Sequence, residues 1–201
     1  MQIEYFYAAH SAFAYLGSRR FMAIAKAAGR EIRHCPVDLD RVVETAGAGA
    51  FSERTKAHGE YYFGREINRW SEYREAPVMA GIPTHHFKDM TFPNCILIAA
   101  AEAGNNIDLL AHAFLEVHWR DDADLCDLKT LTAAARDAGY DLAPFVEAAH
   151  SDAVKAIYER NTVEAIERSV FGSPTYFVDG DMFYGQDRLE LVERALKQPF
   201  K

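Results

Sequence analysis

The order of elements in this sequence predicts an α/β protein, with a strand–helix–strand unit at the start, two strands and a helix at the end, and a long helical block between them. Three observations carry the prediction. Residues 2–7 (QIEYFY) and 31–37 (EIRHCPV) are rich in β-formers and bracket a run whose apolar residues recur at helical spacing. Residues 40–168 carry almost no strand signal. Residues 174–178 (PTYFV) and 182–184 (MFY) bring β-character back on either side of an Asp179-Gly180-Asp181 turn.

After the first strand, Ala8-Ala9-His10 make a short connection, and Ser11 stands where its hydroxyl can accept an unpaired amide of the turn that follows. Phe13, Leu16, Phe21, Ile24, Ala25 and Ala28 then mark a helix that Gly29 stops. The strand over 31–37 completes a βαβ unit, so its two strands are expected to run parallel. Helices are predicted over 51–76 in one or two pieces, 93–104, 107–119, 127–138, 142–149 and 151–168, with AGAGA at 46–50 as a loop. A closing helix over 188–197 follows the hairpin. Removing the helical block leaves βαβ plus ββα, which is the thioredoxin arrangement. The predicted architecture is therefore a thioredoxin-like fold built from residues 1–39 and 169–201, with a large all-helical insertion over 40–168.

Composition excludes several functions. Of 201 residues, 49% are hydrophobic and 26% charged, the balance of a globular domain with a core of its own. With 22 Lys and Arg against 30 Asp and Glu, the net charge of -8 argues against a nucleic-acid binder. No apolar run is long enough to span a membrane, and MQIEYFY lacks the basic start of a signal peptide. Cys35, Cys95 and Cys126 form neither a disulfide framework nor a CxxC pair, which points to the cytoplasm. The histidines offer no HExxH and no metal-ligand spacing with the cysteines, so no metal is expected.

Three short stretches could carry chemistry. In a thioredoxin-like fold the start of the first helix favours an anion, because its dipole and free amides point there. Redox members place CxxC at this point. Here the four positions read Ser11-Ala12-Phe13-Ala14, so disulfide exchange is not available and the anion must come from elsewhere; Ser11 can equally be a plain helix cap. The Ser173-Pro174 bond, at the opening of a strand, is a candidate cis peptide whose preceding residue offers its backbone to an extended peptide, or a structural turn. Asp187, in Tyr184-Gly185-Gln186-Asp187-Arg188, stands where it could cap the last helix and also accept from an ammonium group. Taken together, a held thiol, a peptide backbone and an amino-acid end describe glutathione.

The segments YFYAAHSAFAYLG and FGSPTYFVDGDMFYGQDRLELVERAL, with PVDLDRV at 36–42 and Arg69-Trp70, resemble the 2-hydroxychromene-2-carboxylate isomerases. These are grouped with the kappa-class glutathione transferases in the DsbA-like branch of the thioredoxin superfamily, and the likeness covers nearly the whole chain. The resemblance implies that Ser11 hydrogen-bonds the glutathione sulfur and is the catalytic residue. It implies that Ser173 and Pro174 meet the glutathione backbone, and that Gln186, Asp187 and Arg188 hold its γ-glutamyl end. Arg54 is placed beside the substrate, a small aromatic or unsaturated acid. The implied reaction is isomerisation by reversible thiolate addition to a conjugated double bond. The alternatives are a kappa-like transferase, a disulfide oxidoreductase relative without redox cysteines, and a non-catalytic binding module. A homodimer is the state the relatives suggest.

The chain also departs from the family pattern. Ala12 follows Ser11 where proline is common, Val43 replaces a lysine, Glu53 replaces an asparagine, and PTHHFK at 83–88 shows no evident counterpart of the family's aromatic position. The glutathione half of the pattern is kept and the substrate half is altered. His10 borders Ser11 but reads as an exposed turn residue, and His85-His86 as solvated loop histidines. Tyr61-Tyr62-Phe63 and Trp70 read as helix core or the wall of an apolar pocket.

Overall fold

The computed structural model describes residues 2–47 and 54–201. β1 (Gln2–Tyr7), α1 (Ala12–Ala27) and β2 (Glu31–Pro36) form the opening unit, and β3 (Thr175–Val178), β4 (Asp181–Tyr184) and α10 (Leu189–Lys197) the closing one. The strands form one sheet in the order β2-β1-β3-β4. β1 pairs parallel with β2, and β3 pairs antiparallel with β4 in a hairpin, both as the sequence predicts; β1 and β3, whose pairing the sequence leaves open, run antiparallel. The Ser173-Pro174 peptide bond is cis.

Between β2 and β3 the described elements are helical: α2 (Leu39–Thr45), α3 (Lys56–Gly59) running through a π-helical turn (Glu60–Glu66) into α4 (Ile67–Arg74), then α5 (Thr91–Glu102), α6 (Asp108–Asp121), α7 (Leu128–Asp137), α8 (Ala143–His150) and α9 (Asp152–Glu167). The predicted helices from 93 onward match α5 to α9 to within two residues at each end. α2 was not predicted as a separate helix. It is only two turns long, capped by the Asp38 side chain accepting from Arg41 N–H, and too short to show a period. The predicted 51–76 helix starts later in the described residues, at Lys56, under a Thr55 cap. Its first residues, 51–53, and residues 48–50 of the AGAGA loop lie outside the described residues.

Alternation along β1 sorts the core into two layers. Ile3, Tyr5 and Tyr7 face α1 and the insertion, packing with Phe21, Ile24, Ile96, Leu97 and Phe114. Phe6 points to the other face, with Cys35, Val37, Val42, Ala165 and Phe177. α5 is apolar nearly all round and is accordingly buried, from Pro93 through Ala100. Among the described residues no helix is long and apolar enough to cross a membrane.

α1 and the turn before α10 approach closely at Gly17. A Cβ there would lie 2.6 Å from Gln186 Cβ and 3.2 Å from the Tyr176 hydroxyl. Gly17→Ala is therefore expected to destabilise the protein by about 1–3 kcal/mol through overpacking, read as a lowered urea midpoint at unchanged slope.

Candidate active site

The turn between β1 and α1 is fixed one residue at a time. Ala8 N–H donates to the Ser173 hydroxyl at 3.3 Å, and Ala9 N–H to Asn94 Oδ1 of α5 at 2.9 Å. The His10 carbonyl accepts from the Trp119 indole of α6 at 2.7 Å. Ser11 N–H closes the turn on the Ala8 carbonyl at 3.0 Å. Ser11 then caps α1 in extended conformation, its Oγ accepting from Ala14 N–H at 3.3 Å. The same hydroxyl donates to the Ser173 carbonyl at 3.3 Å. Ser11 is thus a helix cap and also half of a two-serine contact with the cis-proline loop.

This contact stands at the edge of a cavity of about 980 Å³. Of the site residues expected from sequence, Ser11, Ser173 and Arg54 line it. The Arg54 guanidinium lies 5.4 Å from the centre of the Phe63 ring, on the same wall. Pro174 follows directly, with its carbonyl accepting from Gly185 N–H at 2.9 Å.

The terminal stretch departs from expectation. Gln186, Asp187 and Arg188 form a 3-10 turn and do not line the cavity, whereas Tyr184 just before them does. Asp187 does not cap the last helix: α10 begins after Arg188 with no side-chain cap, and the Asp187 carboxylate accepts from Arg188 instead, at 2.5 Å. Gln186 is buried, with its amide oxygen 3.2 Å and its carbonyl 3.3 Å from the Arg74 guanidinium. The direct neighbour of the cavity at this end is a phenol pair. Tyr62, on the π-helical turn, donates to Tyr184, and burial pushes the Tyr62 hydroxyl up to about 12.

The histidines also depart from expectation. The His10 side chain is not exposed: its Nδ1 is shut off from solvent, and its ring centre lies 5.0 Å from that of His86. Burial, with His86 and His118 alongside, holds His10 well below the usual imidazole range, so it stays neutral and lends no charge to an anion at Ser11. His86 lines the cavity rather than lying in solvent, and it shares a hydrogen bond with His118 at 3.1 Å. Phe87, from the same PTHHFK segment, sits at the mouth, 80% exposed. Val43 is buried in the wall, and Glu53 lies outside the described residues.

Sequence reasoning missed Asn94, Trp119, Tyr184 and Arg74. One signal was available, since Asn94 is a polar residue inside the apolar run TFPNCILIAA. A second cavity, of about 910 Å³, lies along β2, where Arg33 pairs with Glu164 (3.0 Å) and His34 contacts Asp108 (2.9 Å). Among the described residues no group of three or more His, Cys, Asp or Glu side chains is placed to hold a metal ion.

A thioredoxin-like sheet, a cis-proline loop and a helix start without cysteine define a DsbA-like protein with a non-redox site, and residues 2–197 match the family described as DSBA-like thioredoxin domain. The chain is 30% identical over 195 residues to the 2-hydroxychromene-2-carboxylate isomerase of Pseudomonas sp. (strain C18), covering 96% of this chain and 89% of that protein. It is 28% identical over 197 residues to the enzyme of that name from Pseudomonas putida, covering 98% and 94%. The solved structure of a selenomethionine 2-hydroxychromene-2-carboxylate isomerase matches with a TM-score of 0.78 at 28% identity, over 98% of this chain and 95% of that one. The chain belongs to the 2-hydroxychromene-2-carboxylate isomerase family within the DsbA-like group.

The buried imidazoles set the acid side of stability. Burial pushes His86 down from 6.5 to about 4, and lowers His10 and His118 as well. Below pH 6.5 the unfolded chain takes up protons that the folded one refuses, so stability is expected to fall as pH drops from 6.5 towards 4. Each histidine that stays neutral contributes a slope of about 1.4 kcal/mol per pH unit. Urea midpoints across that window test this, and a flat profile would show ordinary titration.

Proposed function

We propose that this protein is a glutathione-dependent isomerase of the 2-hydroxychromene-2-carboxylate isomerase type, acting on a small unsaturated acid. The observation that carries the reading is Ser11, a residue 6% exposed whose hydroxyl is placed between the first turn of α1 and Ser173 on the edge of a cavity of about 980 Å³. A cavity of this size accepts a tripeptide's reactive end together with a small aromatic partner.

The residues fit a thiolate ligand. Both Ser11 bonds, at 3.3 Å, are long, so the hydroxyl can turn its proton to a sulfur anion with little loss. The first amides of α1 have no intrahelical partners and add a favourable dipole at the same point. Among the described residues no cysteine lines the cavity to compete for it. Bound there, glutathione would supply the nucleophilic sulfur that adds to a conjugated double bond, permits rotation and leaves again. Ser11 would hold the sulfur unprotonated by donating its hydroxyl hydrogen, Ser173 would orient the peptide backbone, and Arg54 would pair with the substrate's carboxylate. The phenols of Tyr62 and Tyr184 close that end of the cavity, with Asp187 and Arg188 beyond them as the candidate contacts for an amino-acid end.

Ser11→Ala is expected to lower glutathione-dependent turnover of a 2-hydroxychromene-2-carboxylate by about 100-fold or more, while costing only about 1 kcal/mol of stability as a lost cap. Unchanged turnover would reduce Ser11 to a cap. Glutathione should remain constant as product forms; its one-for-one loss would mark a transferase instead. Arg54→Gln is expected to raise KM for an acidic substrate by about tenfold, the equivalent of one charge contact, and to leave the KM of a neutral electrophile nearly unchanged.

A further inference from the structure

Three histidines from distant parts of the chain meet on one side of the cavity. His10 precedes Ser11, His86 lies in the segment leading to α5, and His118 is in the last turn of α6. Their rings stack edge to face and face to face, with centres 5.0 Å apart for His10 and His86 and 5.4 Å for His86 and His118. His10 and His86 line the cavity, whereas His118 is wholly buried behind them.

The hydrogen bonds of this group fix where the protons are. His118 Nδ1 lies 3.0 Å from the Ala123 carbonyl oxygen, which can only accept, so Nδ1 carries the hydrogen. A neutral imidazole has one N–H, which leaves His118 Nε2 as a bare acceptor. Its 3.1 Å contact with His86 Nδ1 therefore places the His86 hydrogen on Nδ1. His86 Nε2 is then bare in turn, on a ring that lines the cavity. Burial keeps both rings neutral at neutral pH, so this assignment holds under working conditions.

We propose that His86 selects the second substrate: its Nε2 accepts a hydrogen bond from a hydroxyl group on the electrophile, and His118 with the Ala123 carbonyl are the positioning groups that hold it in the accepting tautomer. The surroundings define the rest of that molecule. The Trp119 ring lies 5.2 Å from His86, and Phe13, Phe87 and Met90 line the same space, so the hydroxyl is carried on an aromatic or otherwise flat, apolar frame. A carboxylate pointed at Nε2 would set lone pair against lone pair, which assigns the acidic group to the Arg54 wall and the hydroxyl to the histidine wall. An analogue without the hydroxyl hydrogen leaves a desolvated acceptor unpaired, and sites of this kind discriminate strongly.

The proposal rests on the isomerase reading for what reacts, but the preference for a hydroxyl belongs to the cavity and is testable without glutathione. The first measurement is nitrogen NMR of histidine-labelled protein at pH 7, with signals assigned through His86→Gln and His118→Gln. A hydrogen on Nδ1 and a bare Nε2 are expected for both rings, and a hydrogen on His86 Nε2 overturns the proposal. The second compares binding of 2-naphthol and its methyl ether, 2-methoxynaphthalene, in the absence of glutathione. The wild-type protein is expected to prefer the naphthol by about tenfold, and His86→Phe to lose that preference while still binding the ether. Equal binding by the wild-type protein, no binding of either compound, or a preference that survives in His86→Phe overturns it. If His86→Phe does not fold, His86→Gln serves, since an amide that can also donate should reduce the preference. Failure of the glutathione reading would show separately, as absence of glutathione binding in calorimetry with the naphthol preference intact.

Discussion

The contact on which the rest of the site depends is the sharing of the Ser11 hydroxyl between the first turn of α1 and the Ser173 carbonyl. It joins residues 162 positions apart and makes the end of β1, the start of α1 and the cis-proline loop one object. Each hydrogen bond in this group contributes on the order of 1 kcal/mol net, but a buried amide left unpaired would cost more than that. Four backbone groups of this turn, Ala8 N–H, Ala9 N–H, the His10 carbonyl and Ser11 N–H, each have a different partner, so the turn is pinned at four points. A site held in this way would need little reorganisation on binding a ligand.

Two of those partners, Asn94 and Trp119, come from the helical insertion. The insertion thus does more than roof the sheet: together with the cis-proline loop it holds the backbone of the turn. Its α5 is buried along most of its length and presents Asn94 as its one inward polar group, which also lies within 3.5 Å of the Tyr158 hydroxyl of α9. Replacing that amide by an apolar group would leave Ala9 N–H unpaired in a closed environment, where desolvation is not recovered by packing. The division of the chain into a thioredoxin-like part and an insertion describes its topology; at the site the two act as one unit.

What the sequence displays follows from how local the determinants are. The βαβ and ββα units were legible because period and turn chemistry are written in adjacent residues, as with Gly29 after α1 and Asp179-Gly180 in the hairpin. Ser11 was legible both as a cap and as the residue standing where a thiol would be. The misreadings have separate causes. His10 reads as exposed because nothing near it in sequence announces His86 and His118, which bury it from 76 and 108 residues away. Asp187 reads as a cap because its position before an amphipathic helix is right, but the 3-10 turn delays the helix and Arg188 takes up the carboxylate. Tyr62 and Phe63 line the cavity, one of the two places the sequence reading gave them, but the π-helical turn that carries them is a change of period that apolar spacing does not reveal.

The chain's own thiols bear on what kind of chemistry the cavity can support. Cys35 is completely buried, and desolvation pushes its thiol up to about 12; Cys95, also buried, is pushed up to about 11. Cys126 is raised in the same direction and donates to the Asp89 carbonyl at 3.3 Å. All three therefore remain protonated at neutral pH, and a protonated thiol is a poor nucleophile. The helix start, where a thiolate would be most stabilised, holds a hydroxyl that neither ionises nor exchanges disulfides. Under the proposed function, sulfur would enter this point with a ligand and leave with it, and the protein's part would be to hold an anion briefly rather than to store a redox state. A neutral wall of histidines beside a serine donor would suit that task, because neither would compete with the sulfur for a proton or hold it so strongly that it could not leave.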